Sequence, residues 1–258
     1  MAARLRGGAV RPAPASLRRL HEFLLEHAPG DHLVSTLPGG ERIRVAARYR
    51  QLSWNPEEYT AFRAAVRPGA TVLDVGANVG AYTLLFARWV GANGKVVAFE
   101  PAPEAAAGLR RHLELNELSS TVDVQQCAVS DSAGTARFAC AEANGANAIV
   151  VGQPGTAAIE VATVTLDAFC SRNRIVPDVI KIDVEGAELD VLRGARQVLA
   201  FGGLQVFLEL HPASWKARGI GEQAIRDELA LQRFVAEPLA PGIDVWNTEG
   251  ISVRLRRA

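Results

Sequence analysis

Net charge, thiol chemistry and long apolar runs are all scarce in this chain of 258 residues. Its 28 basic and 28 acidic side chains cancel, so no sequence-independent attraction draws it to a polyanion, and binding to nucleic acid or an anionic membrane would need a local basic patch. Only the chain ends offer one, at Arg4, Arg6, Arg11, Arg18 and Arg19 and again at Arg254, Arg256 and Arg257. The three cysteines, Cys127, Cys140 and Cys170, are an odd number at wide spacing. They suit neither a disulfide framework nor a C-x-x-C metal or redox site, which makes a reducing cytosol the default. The most apolar stretch, Val198 to Leu210, is too short for a bilayer and is interrupted by Gly202, Gly203 and Gln205; it reads as a buried strand with its approach loop. No apolar segment follows the arginine-rich start, which reads as a solvated tail, with an organellar transit peptide as the sharper alternative. A cytoplasmic protein with no nucleic-acid and no membrane partner is expected.

What is present is a globular composition, 48% hydrophobic and 22% charged, enough to bury the core of one large α/β domain. Residues 1–55 read as an N-terminal extension: a tail, a helix from about Ser16, and two short strands within His32 to Ala47 about a Pro-Gly-Gly turn. Residues 56–258 read as the main domain, led in by a helix over Pro56 to Val66. From Thr71 onward strands and helices alternate, the signature of a mostly parallel sheet covered on both faces. Strands are expected at Thr71–Val75, Lys95–Phe99, Val122–Gln126, Val179–Ile182, Leu204–Leu210, Phe234–Glu237 and Ile251–Leu255. Helices are expected at Tyr82–Trp89, Glu104–Asn116, Ala187–Leu199 and Glu222–Gln232. Between Thr135 and Val164 the pattern lapses into short β-like runs and glycines, read as an irregular insertion.

Val72-Leu73-Asp74-Val75-Gly76-Ala77-Asn78-Val79-Gly80 is a strand entering a glycine-bearing turn and then a helix. Gly76 and Gly80 would let backbone approach a ligand, the helix start would present free N–H groups, and Asp74 could accept hydrogen bonds. Glycines serving turn geometry alone are the bland alternative. A second acid changes the balance: Glu100 ends the next strand, where a carboxylate in doubly wound folds accepts both hydroxyls of a ribose. A dinucleotide loop would show Gly-x-Gly-x-x-Gly, yet Ala77 and Asn78 fill the centre and no Arg or Lys stands by to balance a diphosphate. S-adenosylmethionine, cationic and free of phosphate, suits Asp74 and Glu100 better.

Asp-Val-Gly-Ala-Asn-x-Gly at Asp74–Gly80, Phe-Glu-Pro at Phe99–Pro101, Ala-Val-Ser-Asp at Ala128–Asp131 and Lys-Ile-Asp-Val-Glu-Gly-Ala-Glu at Lys181–Glu188 together resemble the FkbM-type S-adenosylmethionine-dependent methyltransferases. The resemblance implies a class I methyltransferase, Rossmann-like fold: a doubly wound, mostly parallel seven-stranded sheet with an antiparallel last strand. It implies methylation of a hydroxyl on a sugar or natural product. It also sets the methionine end of the cofactor against Asp74, Gly76, Ala77, Asn78 and Gly80, with Thr83 nearby. Glu100 then takes the ribose with Pro101 beside it, and the backbone at Cys127 and Ala128 meets the adenine edge. Cys127 itself reads as a small buried apolar residue.

Ligands of open α/β sheets bind outside the carboxyl ends of the strands, so Asp183 should face the cofactor's methyl group or the acceptor. Glu209 and His211 share the next strand end and, by period-two alternation, one side. A hydroxyl needs a base as its bond to carbon forms, which makes His211 the candidate catalytic base, held by Asp183 and Glu209. The same three residues could instead hold magnesium, a version ranked second. Glu185 is divided between site and surface, whereas Glu188 and Asp190 read as solvated acids of a first helical turn. Rival functions are a nicotinamide-dependent oxidoreductase and a non-catalytic adenosine-ligand-binding protein. The partner expected is a small-molecule acceptor, shaped by the N-terminal extension and the 135–164 segment, and a homodimer is the commonest assembly for such enzymes.

Overall fold

The computed structural model describes residues 30–139, 148–149 and 158–258; the helix expected near Ser16 lies outside them. The chain divides into two units, Met1–Leu52 and Ser53–Ala258. In the described part of the first, β1 (His32–Thr36) and β2 (Arg42–Ala46) pair antiparallel, His32 opposite Ala46. Gly40 turns the hairpin at φ +85°, a conformation glycine adopts without steric cost. A single 3-10 turn, Ala47–Tyr49, follows.

The second unit opens with α1 (Pro56–Ala65), whose cap Asn55 accepts hydrogen bonds from the backbone N–H of Glu57 and Glu58, the usual treatment of orphan helix donors. Then come β3 (Thr71–Val75), α2 (Ala81–Val90), β4 (Lys95–Phe99), α3 (Pro103–Leu115) and β5 (Val122–Gln125). After a smaller sheet follow α4 (Leu166–Asn173), β10 (Val179–Ile182), α5 (Glu188–Arg193), α6 (Arg196–Leu199), β11 (Gln205–Leu210), α7 (Pro212–Ala217) and α8 (Glu222–Leu231). The hairpin strands β12 (Phe234–Pro238) and β13 (Ile251–Arg257) close the chain. The seven-stranded sheet has the order β12-β13-β11-β10-β3-β4-β5. Only β13 runs against the others, pairing antiparallel with both β11 and β12.

Strand alternation sorts the faces. Leu73, Val75, Ile180, Ile182, Val206 and Leu208 belong to one apolar core with residues of α4, α5, α6 and α8. The intervening residues point the other way, where Phe62 of α1 meets Phe86 of α2 and Phe207 of β11. Parallel register sets Lys181 opposite both Asp74 and Phe207, so a polar row crosses this second face.

Three elements depart from the sequence reading. The 135–164 segment is no irregular insertion throughout: β7 (Gly134–Ala139) and β9 (Ala158–Val164) pair antiparallel, flanked by β6 (Ala128–Val129) and β8 (Ala148–Ile149) in a four-stranded sheet. Its apolar side is thin, Phe138 and Val161 packing on Ala102, Ala105 and Ala128, which left little periodicity to read. The helix expected over Ala187–Leu199 is broken into α5 and α6. Asp167 caps the second piece, its carboxylate accepting from the backbone N–H of Gln197 and Val198, while a Cβ on Gly194 would overlap the carbonyl oxygen of Ser130. α4, capped by Thr165, and α7, led by Pro212, are additions. No helix among the described residues is long and apolar enough to cross a membrane.

Candidate active site

Where β3, β4 and β10 end, a cleft opens. Its floor and walls are apolar, from Val75, Phe99, Cys127, Val129 and Phe138, and its charged groups are Glu100, Asp183 and Glu185. No cationic side chain is among the described residues that line it. Glu100 is 4% exposed. One carboxylate oxygen accepts from the Asn78 N–H and the other from the Ala102 N–H, each at 2.8 Å. Burial outweighs these two bonds and raises its pKa to about 7. Each oxygen keeps a lone pair for a further donor.

The loop from Gly76 to Gly80 is fixed by the chain itself. Gly76 and Ala77 both donate to the Phe99 carbonyl at 3.0 Å. At Gly76, φ +82°, a Cβ would overlap the Asp183 carbonyl oxygen, and at Gly80, φ +93°, it would overlap a methyl of Leu109. The close approach these glycines permit is therefore between strands and helices, and only Gly76 of the two lines the cleft.

Behind the cleft stands a buried polar row. Thr83 donates to Asp74, and Lys181 Nζ lies 3.0 Å from Asp183 Oδ2 and 3.9 Å from Asp74 Oδ1. Burial alone would lower the Lys181 pKa, but Asp183, Asp74 and Glu209 outweigh it and hold it above its ordinary value. Burial raises the Asp74 carboxyl despite Lys181 and Thr83. Further along, Tyr82 donates to Glu58, which also accepts from Ser252, tying α1 to α2 and β13.

At the outer end, His211 is 3% exposed among four carboxylates. Nδ1 is 2.8 Å from Glu188 Oε1; Nε2 is 3.5 Å from Glu185, 3.6 Å from Glu209 and 3.8 Å from Asp183. Glu188, fully buried, also accepts from the Gly186 N–H at 2.9 Å and from the Trp215 indole.

Residues 74–235, more than half of the chain, match the family described as the methyltransferase FkbM domain. The chain belongs to this family. Relatives include 31-O-demethyl-FK506 methyltransferase FkbM of Streptomyces tacrolimicus, 44% identical over 80 residues, covering 31% of this chain and 30% of that one. Methyltransferase sdnD of Sordaria araneosa is 31% identical over 154 residues, covering 48% of this chain and 59% of that one. The matches thus span less than two thirds of either relative. Among solved structures, a proposed rRNA methylase from Clostridium thermocellum superposes with a TM-score of 0.50 at 14% identity, covering 80% of this chain and 98% of that one. That likeness fixes the fold, the class I methyltransferase arrangement.

Within this family member the expected site residues separate into three positions. Gly76, Asn78, Glu100, Pro101, Ala128 and Asp183 line the cleft. Asp74, Ala77, Gly80 and Thr83 stand behind it, Asp74 and Thr83 bonded to each other. Glu209 and His211 meet Asp183 at the outer end, their ligand atoms within 4.8 Å of one another.

Burial would lower the His211 pKa, but the hydrogen bonds and charges of Glu188, Glu209 and Asp183 prevail and raise it to about 11, which favours the imidazolium in the free site and weighs against the neutral base expected of it. One expectation is corrected. Glu188 and Asp190 are not solvated acids, since Glu188 anchors His211 and Asp190 pairs with Arg218 at 2.6 Å. Lys181, Glu58 and Trp215 escaped sequence reasoning. A lysine in the middle of the buried run Val179-Ile180-Lys181-Ile182 was the available signal, because such a charge needs a partner.

The cleft fits S-adenosylmethionine. Three acidic side chains, with no cation among the described lining residues, oppose a diphosphate and favour a sulfonium and an ammonium, while the apolar wall around Phe99 and Phe138 suits a purine. Burial holds the Cys127 thiol up at about 11, which keeps it protonated and unreactive.

Proposed function

We propose that the protein is a cytoplasmic S-adenosylmethionine-dependent methyltransferase acting on a hydroxyl of a small molecule, a sugar or natural product. The observation carrying this reading is the acid-lined cleft, with no cationic side chain among its described lining residues, that runs from Glu100 to Asp183 and Glu185, the two acids that His211 meets from outside the lining. The relative whose name specifies 31-O-demethyl-FK506 supports an oxygen acceptor.

Bound S-adenosylmethionine supplies an electrophilic methyl carbon on a cationic sulfur. Glu100 holds the ribose hydroxyls with its remaining lone pairs, and the loop of Gly76 to Asn78, whose N–H groups are already bonded to Phe99 and Glu100, offers backbone carbonyls to the methionine ammonium. The acceptor proton goes to a carboxylate, because His211 already carries one. Glu185 is the best placed: it lines the cleft, and burial raises its pKa despite His211, making it a stronger base than a solvated carboxylate. Imidazolium His211 and ammonium Lys181 offset the remaining negative charge around it.

The test is a coupled assay of S-adenosylhomocysteine release over sugars and hydroxylated natural products. Acceptor-dependent release is expected, with Glu185→Gln lowering kcat by about 10² or more. Acceptor-dependent turnover in wild type that Glu185→Gln leaves untouched would remove the base assignment. Failure to bind S-adenosylhomocysteine at all would remove the reading.

A further inference from the structure

We infer that Asp183, Glu209 and His211 form a site for one divalent cation of the magnesium or manganese class at the acceptor end of the cleft. Its use in catalysis rests on the methyltransferase reading; its existence does not. Three side chains from two strand ends converge there: Asp183 follows β10, Glu209 lies in β11 and His211 follows β11. Their ligand atoms lie within 4.8 Å of one another, and His211 Nε2 is 3.6 Å from Glu209 Oε1 and 3.8 Å from Asp183 Oδ1. For metal–ligand bonds of about 2.1 Å, two ligands at right angles stand about 3.0 Å apart and two opposed ones about 4.2 Å. The two His211 separations fall between these limits, and exceed the usual length of an N–H···O bond.

A second observation is independent of the acids. His211 is almost wholly buried, and its other nitrogen is held by Glu188, itself fixed by Gly186 and Trp215. A carboxylate on the far ring nitrogen is how proteins orient a metal-bound histidine and set its tautomer. Glu188 therefore aims Nε2 at the place where the carboxylates meet. The two carboxylates suit magnesium or manganese, and the imidazole favours manganese of the two, with water or the acceptor oxygen completing the shell. Binding there would displace the Nε2 proton to solvent, so that the cation takes over from the imidazolium in offsetting the carboxylates; it would bind the acceptor hydroxyl and make its proton easier for Glu185 to remove.

Manganese is the probe. The full chain is titrated with Mn²⁺ and free ion is read by electron paramagnetic resonance, with S-adenosylhomocysteine binding measured calorimetrically on the same samples. One ion per chain is expected. Asp183→Asn and His211→Ala should each weaken its binding at least tenfold, Glu188→Gln by about 10- to 100-fold, and Glu237→Gln, on the surface, should change nothing. Circular dichroism checks that the variants fold, and the wild-type stoichiometry decides the matter if one does not. S-adenosylhomocysteine binding without stoichiometric Mn²⁺ binding would overturn the cation site and leave the methyltransferase reading standing. So would Mn²⁺ affinity that is unchanged in both Asp183→Asn and His211→Ala. Mn²⁺ binding without S-adenosylhomocysteine binding would sustain the site and overturn the function.

Discussion

Glu100 is placed for both folding and the proposed binding, because its two backbone bonds shape the loop after β3 and the start of α3 while the residue lines the cleft. Losing a charged hydrogen bond to the ribose should cost about 1.5 to 3 kcal/mol, so Glu100→Ala is expected to weaken S-adenosylhomocysteine binding by roughly 10- to 150-fold. Unchanged affinity in a folded variant would remove the assignment. The raised pKa, about 7, fixes a pH dependence. Between the ordinary carboxylate range and pH 7 the folded protein binds a proton that the unfolded chain has released, so Glu100 takes stability away as pH rises through that window. In the proposed function the ribose is held by the ionised form, so affinity should strengthen as pH rises through about 7, and Glu100→Gln should flatten that part of the profile in calorimetry. At Gly76 a side chain would collide with the Asp183 carbonyl, at a φ that L residues rarely adopt. Gly76→Ala should lower stability by about 1 to 3 kcal/mol or more, measured by urea unfolding.

The elements read from sequence are those with strong periodicity or firm boundaries. β3, β4 and β10 were legible to the residue because each is an apolar run entering from a turn and leaving at an acid or glycine. β7 and β9 were not, because their exposed residues carry the alternation and only Phe138 and Val161 supply a deeply buried apolar side. The break between α5 and α6 depends on Asp167, about 30 residues away in sequence, which no local window contains. α7 carries Trp215, and its indole bond to Glu188 couples this short helix to the site. Trp215→Phe would leave a buried carboxylate oxygen without that donor, so a loss of about 1 to 3 kcal/mol is expected in thermal unfolding. A loss no larger than that of a surface substitution would show that Glu188 finds another partner.

Over the whole molecule, the order of strands brings three separate signals to one sheet edge. The loop after β3, the acid after β4 and the acid after β10 lie far apart in sequence and were legible as motifs, because each sits at a strand's carboxyl end. The charge state of His211 was not, since it depends on three carboxylates from the segment after β10 and one from β11, and Glu188 reads as an ordinary first-turn acid. A ligand that binds only the folded chain stabilises it by mass action, about 2.7 kcal/mol at a concentration 100 times its Kd; S-adenosylhomocysteine should therefore raise the melting temperature, and NAD at equal concentration should not. The most direct test is isothermal titration calorimetry of the wild-type chain with S-adenosylhomocysteine and with NAD. One S-adenosylhomocysteine per chain and no measurable NAD heat are expected from a cleft whose described lining holds acids and no cation; NAD binding in the absence of S-adenosylhomocysteine binding would contradict it.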